Sequence, residues 1–149
     1  FKAALFMSAG IVDHETHTRD IRRLGGLRRL MPVSGALALI AAASMAGLPL
    51  LNGFLSKEMM LEMASQTPYG GNAWIVPGLA TLAALISFAY SARLAIGVWF
   101  GPVRDDYPHK PHEAPLGLWG PVAILIVPVV AIGLAPALAA PLVERTAQA

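Results

Sequence analysis

The sequence has 149 residues, of which 56% are hydrophobic and only 13% are charged, with a mean hydropathy of +0.59 and a formal net charge of +2. Soluble domains carry about 25% charged residues, so this composition indicates a membrane protein. The small net charge argues against nucleic acid as a partner. Because the sequence contains no cysteine, a disulfide framework and a cysteine-ligated metal are excluded.

The first apolar run covers residues 1–12 and is too short to cross a bilayer, which needs roughly 20 apolar residues. No positively charged leader segment precedes it, so we interpret it as the end of a partial span in a fragment of a longer protein. Lys2 lies about ten residues, or roughly 15 Å of helix, before the end of this run. That depth makes Lys2 a candidate for proton transfer inside the membrane.

The second apolar segment covers residues 33–66 and is predicted to be a discontinuous membrane helix. Four residues mark the break, Gly47, Pro49, Asn52 and Gly53. Proline removes a backbone donor and glycine loosens the chain, so one continuous helix is not expected. A straight helix of this length would run about 50 Å, against roughly 30 Å of hydrocarbon.

Lys57 follows the break directly and is the strongest candidate for chemistry. A cation inside a span costs roughly 3 kcal/mol or more, and burial favours the neutral amine, so a lysine here is suited to exchange protons. The alternative is that Lys57 extends to the surface near its helix exit, with Glu58 as its ion-pair partner. We favour a proton relay formed by Lys2 and Lys57 with ordered water between them.

Other polar residues near Lys57 are candidate modulators. Glu58 and Glu62 share a helix face, where Glu58 either modulates Lys57 or forms an exposed pair with Glu62. In the next span, Arg93 lies within reach of the headgroups, and Tyr90 is its candidate polar neighbour. Ser87 and Ser91 of the same span are predicted to hydrogen-bond back to their own helix.

Two further spans are predicted at residues 73–100 and 118–138, followed by a frayed tail. Five arginines lie in loop 13–31 and two basic residues in loop 101–116, whereas loop 67–72 has no lysine or arginine. The positive-inside rule therefore predicts that loops 13–31 and 101–116 are cytoplasmic and that loop 67–72 is external, in the inner (plasma) membrane. The fold class is an all-α membrane protein with one partial and three full transmembrane helices.

The four histidines form two pairs, His14 with His17 and His109 with His112, in the two loops predicted to be cytoplasmic. Their spacing suits a metal on a helical turn, but Pro111 interrupts the second pair and no cysteine supports either. We predict no metal site. No phosphate-binding loop or nucleophile motif occurs, so neither a cofactor nor an enzyme activity is predicted.

Several segments resemble the antiporter-like membrane subunits, which comprise the large subunits of Mrp-type cation/proton antiporters and the proton-pumping membrane subunits of respiratory complex I. The segments are Phe1–Phe6, Gly10–Thr16, Thr18–Ile21, Leu24–Leu27 and Met45–Glu58. The sequence similarity is greatest to the large subunit of Mrp-type multisubunit Na+/H+ antiporters. Two further segments, Phe88–Leu94 and His112–Pro115, also resemble that subunit most. One departure is Leu50, where many relatives have a second proline.

The resemblance implies that residues 1–149 form the C-terminal part of an antiporter-like domain, its helices eleven to fourteen. It implies that Lys2 and Lys57 match two proton-relay lysines of the family. It further implies exchange of Na+ for H+ within the lipid bilayer, in a complex with other membrane subunits. The alternatives are a proton-pumping subunit of a complex I-like NADH:quinone oxidoreductase and a passive structural scaffold.

Overall fold

The computed structural model describes residues 1–67, 69, 71–104 and 107–138, so the predicted tail at 141–149 lies outside the described residues. These residues form five α-helices and two short 3-10 turns. The helices are α1 (Lys2–Thr16), α2 (Pro32–Ala46), α3 (Asn52–Ser65), α4 (Ile75–Trp99) and α5 (Leu116–Leu134). The 3-10 turns are Leu27–Arg29 and Pro136–Leu138. The all-helical prediction is confirmed.

Two of the helices, α4 and α5, are long and apolar enough to cross a membrane, and α2 is a shorter apolar helix. Helices α4 and α5 correspond to the spans predicted at 73–100 and 118–138, respectively. Helix α5 ends at Leu134, before the 3-10 turn that begins at Pro136. The first helix continues past its predicted end at Val12 to Thr16, so the first turn of the predicted loop 13–31 is helical.

The core lies where α1, α2 and α5 meet, and α4 packs along α2 and α3. Many of its buried residues are small, among them Ala4, Ala38 and Ala41, and larger side chains such as Val122 and Ile126 fill the space between helices. Small residues let helix backbones approach closely, which is the usual basis of helix packing in membranes. Most of the apolar surface of α4 faces outward, as expected for a lipid-facing helix.

The segments before α2 and before α5 lie against each other at one end of the bundle. The Tyr107 hydroxyl donates to the Gly25 carbonyl at 2.7 Å and accepts from the Gly25 N–H at 3.0 Å. The Gly26 N–H donates to the Phe100 carbonyl at 3.1 Å. The described parts of loops 13–31 and 101–116 therefore lie at the same end of the bundle.

Arginine side chains on the surface of loop 13–31 form ion pairs with nearby carboxylates. Arg22 lies 2.9 Å from Asp20, and its hydrogen bonds to the ionised carboxylate lower the pKa of Asp20 to about 2. Such exposed pairs contribute little to stability. The Arg28 guanidinium lies 5.0 Å from the centre of the Phe100 ring, a cation–π contact between the first loop and the C-terminal end of α4.

The N-terminus of α2 is capped by Glu113, a residue far away in sequence. One Glu113 carboxylate oxygen accepts from the Val33 N–H at 2.8 Å, and the other accepts from the Ser34 N–H at 3.1 Å and the Ser34 hydroxyl at 2.6 Å. No side chain of α2 caps its own start. The carboxylate satisfies helix donors that otherwise lack partners, and the helix dipole favours its charge.

Replacing Glu113 with alanine should therefore destabilise the fold by about 1–2 kcal/mol. The thermal midpoint in detergent would fall, by at most about 2–4 °C for each kcal/mol lost. Glu62→Ala is the matched control, because the Glu62 side chain is exposed and has no hydrogen bond within the described part of the chain. Equal midpoints for the two variants would show that the cap contributes nothing.

Candidate functional site: the helix break at Lys57

A non-helical segment, residues 47–51, separates α2 from α3. Gly47 and Pro49 lie within it, whereas Asn52 and Gly53 form the first turn of α3. Gly47 has φ +86°, a left-handed conformation that suits glycine, and its N–H bonds back to the last turn of α2. The second apolar segment is therefore two helices joined by a short turn.

Ser44, which is fully buried, joins the start of α3 to α2. Its hydroxyl donates to Asn52 Oδ1 at 2.8 Å and accepts from the Gly53 N–H at 3.1 Å. The Gly53 backbone lies so close to the Ser44 carbonyl that a β-carbon there would overlap it. Gly133 of α5 also approaches the backbone of residues 50–51 so closely that a β-carbon there would overlap it. Two close backbone contacts thus fix the break.

The Lys57 side chain extends from α3 to the C-terminal end of α2. Its Nζ donates to the Ala46 carbonyl at 3.0 Å and to the Ser87 hydroxyl at 3.2 Å. Its aliphatic stem packs over Gly47, and the side chain is half-buried. Ala46 is the last residue of α2, so its carbonyl has no partner within the helix. The partial negative charge at a helix C-terminus favours an ammonium group at this point.

Ser87 belongs to this site, although the sequence did not indicate it. Besides accepting from Lys57, its hydroxyl lies 3.5 Å from the Met45 carbonyl, to which it donates. The prediction that Ser87 bonds back to its own helix is wrong, because α4 presents this hydroxyl to the break. Ser91 does bond back, donating to the Ser87 carbonyl at 2.7 Å.

The other predicted site residues lie apart from Lys57. Lys2 is exposed at the first turn of α1, and Tyr90 and Arg93 are exposed on α4. Among the described residues, the side chains of these three make no hydrogen bond with Lys57 or with one another. Glu58 is also exposed, and its carboxylate does not pair with Lys57 in the described part of the chain.

A cavity of about 690 Å³ opens beside the Lys57 side chain. Its lining residues are Gly47, Phe54, Lys57, Glu58, Leu61 and Glu62. Glu58 and Glu62 therefore border the same space as Lys57. Water in this cavity would reach Lys57 without crossing the apolar core.

Residues 1–87 match the family described as NADH:quinone oxidoreductase/Mrp antiporter, transmembrane. The chain belongs to this family. The matched region contains both halves of the broken helix, together with Lys2, Lys57 and Ser87. The resemblance to antiporter-like membrane subunits is confirmed, and the chain is a membrane protein.

Members of this antiporter family share much of the sequence. A probable K(+)/H(+) antiporter subunit from Rhizobium meliloti is 49% identical over 92% of this chain and 14% of its own length. A Na(+)/H(+) antiporter subunit of Bacillus subtilis is 43% identical over 85% of the chain and 17% of its own length. The Na(+)/H(+) antiporter subunit of the same name from Alkalihalophilus pseudofirmus is 42% identical over 100% of the chain and 20% of its own length.

This chain therefore spans about a seventh to a fifth (14–20%) of the length of these relatives. All three are named as antiporter subunits, that is, as parts of transporters and not as enzymes. Their names differ in the cation, which is K+ for one and Na+ for the other two.

Proposed function

We propose that this chain is the C-terminal part of the antiporter-like transmembrane domain of an Mrp-type large subunit, and that Lys57 transfers protons in exchange for a monovalent cation. The observation that supports this most directly is the placement of the Lys57 amine. It meets the carbonyl end of α2 at the break and borders an open cavity. Ion sites at the ends of interrupted helices are a recurring feature of transporters.

The hydrogen bonds around Lys57 suit both of its protonation states. The Ala46 carbonyl can only accept, so it favours the ammonium form. The Ser87 hydroxyl accepts from the ammonium, and by rotating it can instead donate to the lone pair of a neutral amine. A cation arriving in the cavity disfavours a second positive charge on Lys57, so it drives the proton off. Cation entry and proton release are coupled in this way.

Other residues and surfaces of the chain act around the Lys57 site. Lys2 is the second relay lysine, and because it does not contact Lys57, ordered water would have to connect them. Glu58 attracts cations into the cavity, whereas Tyr90 and Arg93 act only as distant modulators. Loops 13–31 and 101–116 face the cytoplasm and loop 67–72 the exterior of the inner (plasma) membrane. Other antiporter subunits and lipid cover the exposed helix faces.

Transport by the complete complex in inside-out vesicles tests the role of Lys57. We expect Lys57→Ala to lower proton flux driven by Na+ or K+ at least about tenfold, with the complex assembled normally. Lys110→Ala is the control, since Lys110 is exposed and has no bonding partner among the described residues. Unchanged flux in Lys57→Ala would instead support the passive scaffold. Proton pumping that requires NADH and quinone but no cation would support the complex I-like alternative.

Replacing Ser87 with alanine removes one of the two acceptors of the Lys57 amine. A hydrogen bond of this kind contributes about 0.5–1.5 kcal/mol, so we expect cation-driven proton flux to fall about twofold to twelvefold. Thr81→Ala on the same helix is the matched control, because within the described residues the Thr81 hydroxyl bonds only back to the Pro77 carbonyl. If both variants transport like the wild type, Ser87 has no part in the site.

A further inference from the structure

The two histidine pairs, far apart in sequence, meet around one buried carboxylate. Glu15, in the last turn of α1, has a side chain only 2% exposed. One of its oxygens lies 3.0 Å from His14 Nδ1, and the other lies 3.1 Å from His112 Nδ1 in the segment before α5. His112 Nδ1 also lies 3.1 Å from the Glu113 carbonyl.

The imidazole rings extend from this carboxylate into solvent. The side chains of His14 and His112 are 65% and 67% exposed. The His109 ring stands edge-on to His112 with centroids 6.0 Å apart, and His17 stands edge-on to His109 at 5.3 Å. The buried carboxylate is thus covered by imidazole rings that are open to water.

Of the other charged groups on these two segments, Asp13 and Glu113 bond to other partners, and Lys110 is exposed. Asp13 of α1 pairs with Arg19 at 2.8 Å, and the Glu113 carboxylate caps α2. Lys110, in the same segment as His112, is exposed and lacks a bonding partner in the described ranges. Within the described residues, the only basic groups bonded to Glu15 are therefore histidines.

This arrangement ties the strength of the contact to histidine charge. An ionised carboxylate only accepts hydrogen bonds, so Nδ1 of His14 and of His112 must donate, and the opposite ring nitrogen is left to gain a proton. Histidine changes its charge between about pH 5 and 8. With imidazolium partners the buried anion is neutralised, whereas with neutral imidazoles it keeps its hydrogen bonds but lacks a counter-charge.

We propose that Glu15, His14 and His112 form a pH-responsive clasp, which holds the end of α1 to the segment before α5 more firmly when the histidines are protonated. Acidification of the solution on this side of the membrane tightens the clasp, and alkalinisation loosens it. The clasp goes beyond the proposed transport and does not depend on it. It joins the helix that carries Lys2 to the helix that packs against the break.

Hydrogen exchange measured by mass spectrometry on the complete complex tests the clasp. His112→Asn retains an amide donor near the position of Nδ1 but cannot become charged. At about pH 6 we expect the peptide covering residues 10–17, the hydrogen-bonded end of α1, to exchange about threefold to tenfold faster in His112→Asn than in the wild type. At about pH 8.5 the two should exchange alike. Comparing variant and wild type at one pH cancels the intrinsic effect of pH on exchange.

Two further variants make the test specific. Glu15→Gln should behave like His112→Asn, because it removes the buried charge that the imidazolium neutralises. Lys110→Asn, in the same segment, should match the wild type at both pH values. An exchange difference for His112→Asn that is equal at the two pH values, or absent at both, would overturn the proposal.

Discussion

Replacing Gly53 with alanine is expected to destabilise the fold by about 3 kcal/mol or more, although alanine is normally the better helix former. The added β-carbon would overlap the Ser44 carbonyl, which is backbone and cannot rotate away. Either α3 moves off α2, or the buried Ser44 hydroxyl loses its bonds to Asn52 and Gly53. In both cases a buried polar group is left without a partner.

The measurement is the amount of assembled complex in membranes, together with its thermal midpoint in detergent. Gly78→Ala on α4 is the matched control, because a β-carbon at that helical position would meet nothing within 4 Å. It should be neutral or slightly stabilising, since alanine favours a helix by about 1 kcal/mol over glycine. Wild-type abundance and midpoint in Gly53→Ala would show that α2 and α3 do not approach as closely as described.

Gly133→Ala should lower the free energy of unfolding by about 2–3 kcal/mol, because the added β-carbon meets a different part of the backbone. Gly133 lies against the backbone of Leu50 and Leu51, so a β-carbon there would force α5 away from the turn between α2 and α3. Because that turn positions the Ala46 carbonyl, we also expect the surviving complexes to lose cation-driven proton flux. Gly53→Ala and Gly133→Ala thus test the two close contacts at the same turn.

The control for Gly133 lies on the same helix. A β-carbon at Gly120 would meet no atom within 4 Å, so Gly120→Ala should retain both stability and transport. Reduced abundance with normal flux per assembled complex in Gly133→Ala would mean that the turn tolerates displacement. Lys57 would then not depend on an exact approach of α5.

Some features of the site were predictable because their physical cause is local. A glycine and a proline within three residues disfavour a continuous helix, and the chain does leave helical geometry at Gly47, although Gly120 and Pro121 lie inside α5. A lysine a few residues after such an interruption is within reach of the freed carbonyls. The position of Lys57 beside the end of α2 therefore follows from spacing along the chain.

Other features were not predictable because they join residues distant in sequence. Ser87 lies 30 positions from Lys57, and nothing in its neighbourhood tells which face of α4 meets the break. Glu113 lies 79 positions from Ser34, and a carboxylate in a proline-rich loop gives no sign that it caps another helix. The histidine pairs suggested a metal site or nothing, and neither interpretation included the buried Glu15.

Composition and local spacing were enough to establish a helical membrane protein, the place where its second apolar segment breaks, and the lysine that follows the break. Each of these depends on hydropathy or on residues a few positions apart, so backbone chemistry is sufficient to predict it. The bonding partners of Lys57, of the N-terminus of α2 and of Glu15 became known only from the folded bundle. Ser87 meets Lys57, Glu113 caps α2 and His112 meets Glu15 because helix packing sets which side chains face each other, and that packing is a property of all the helices together.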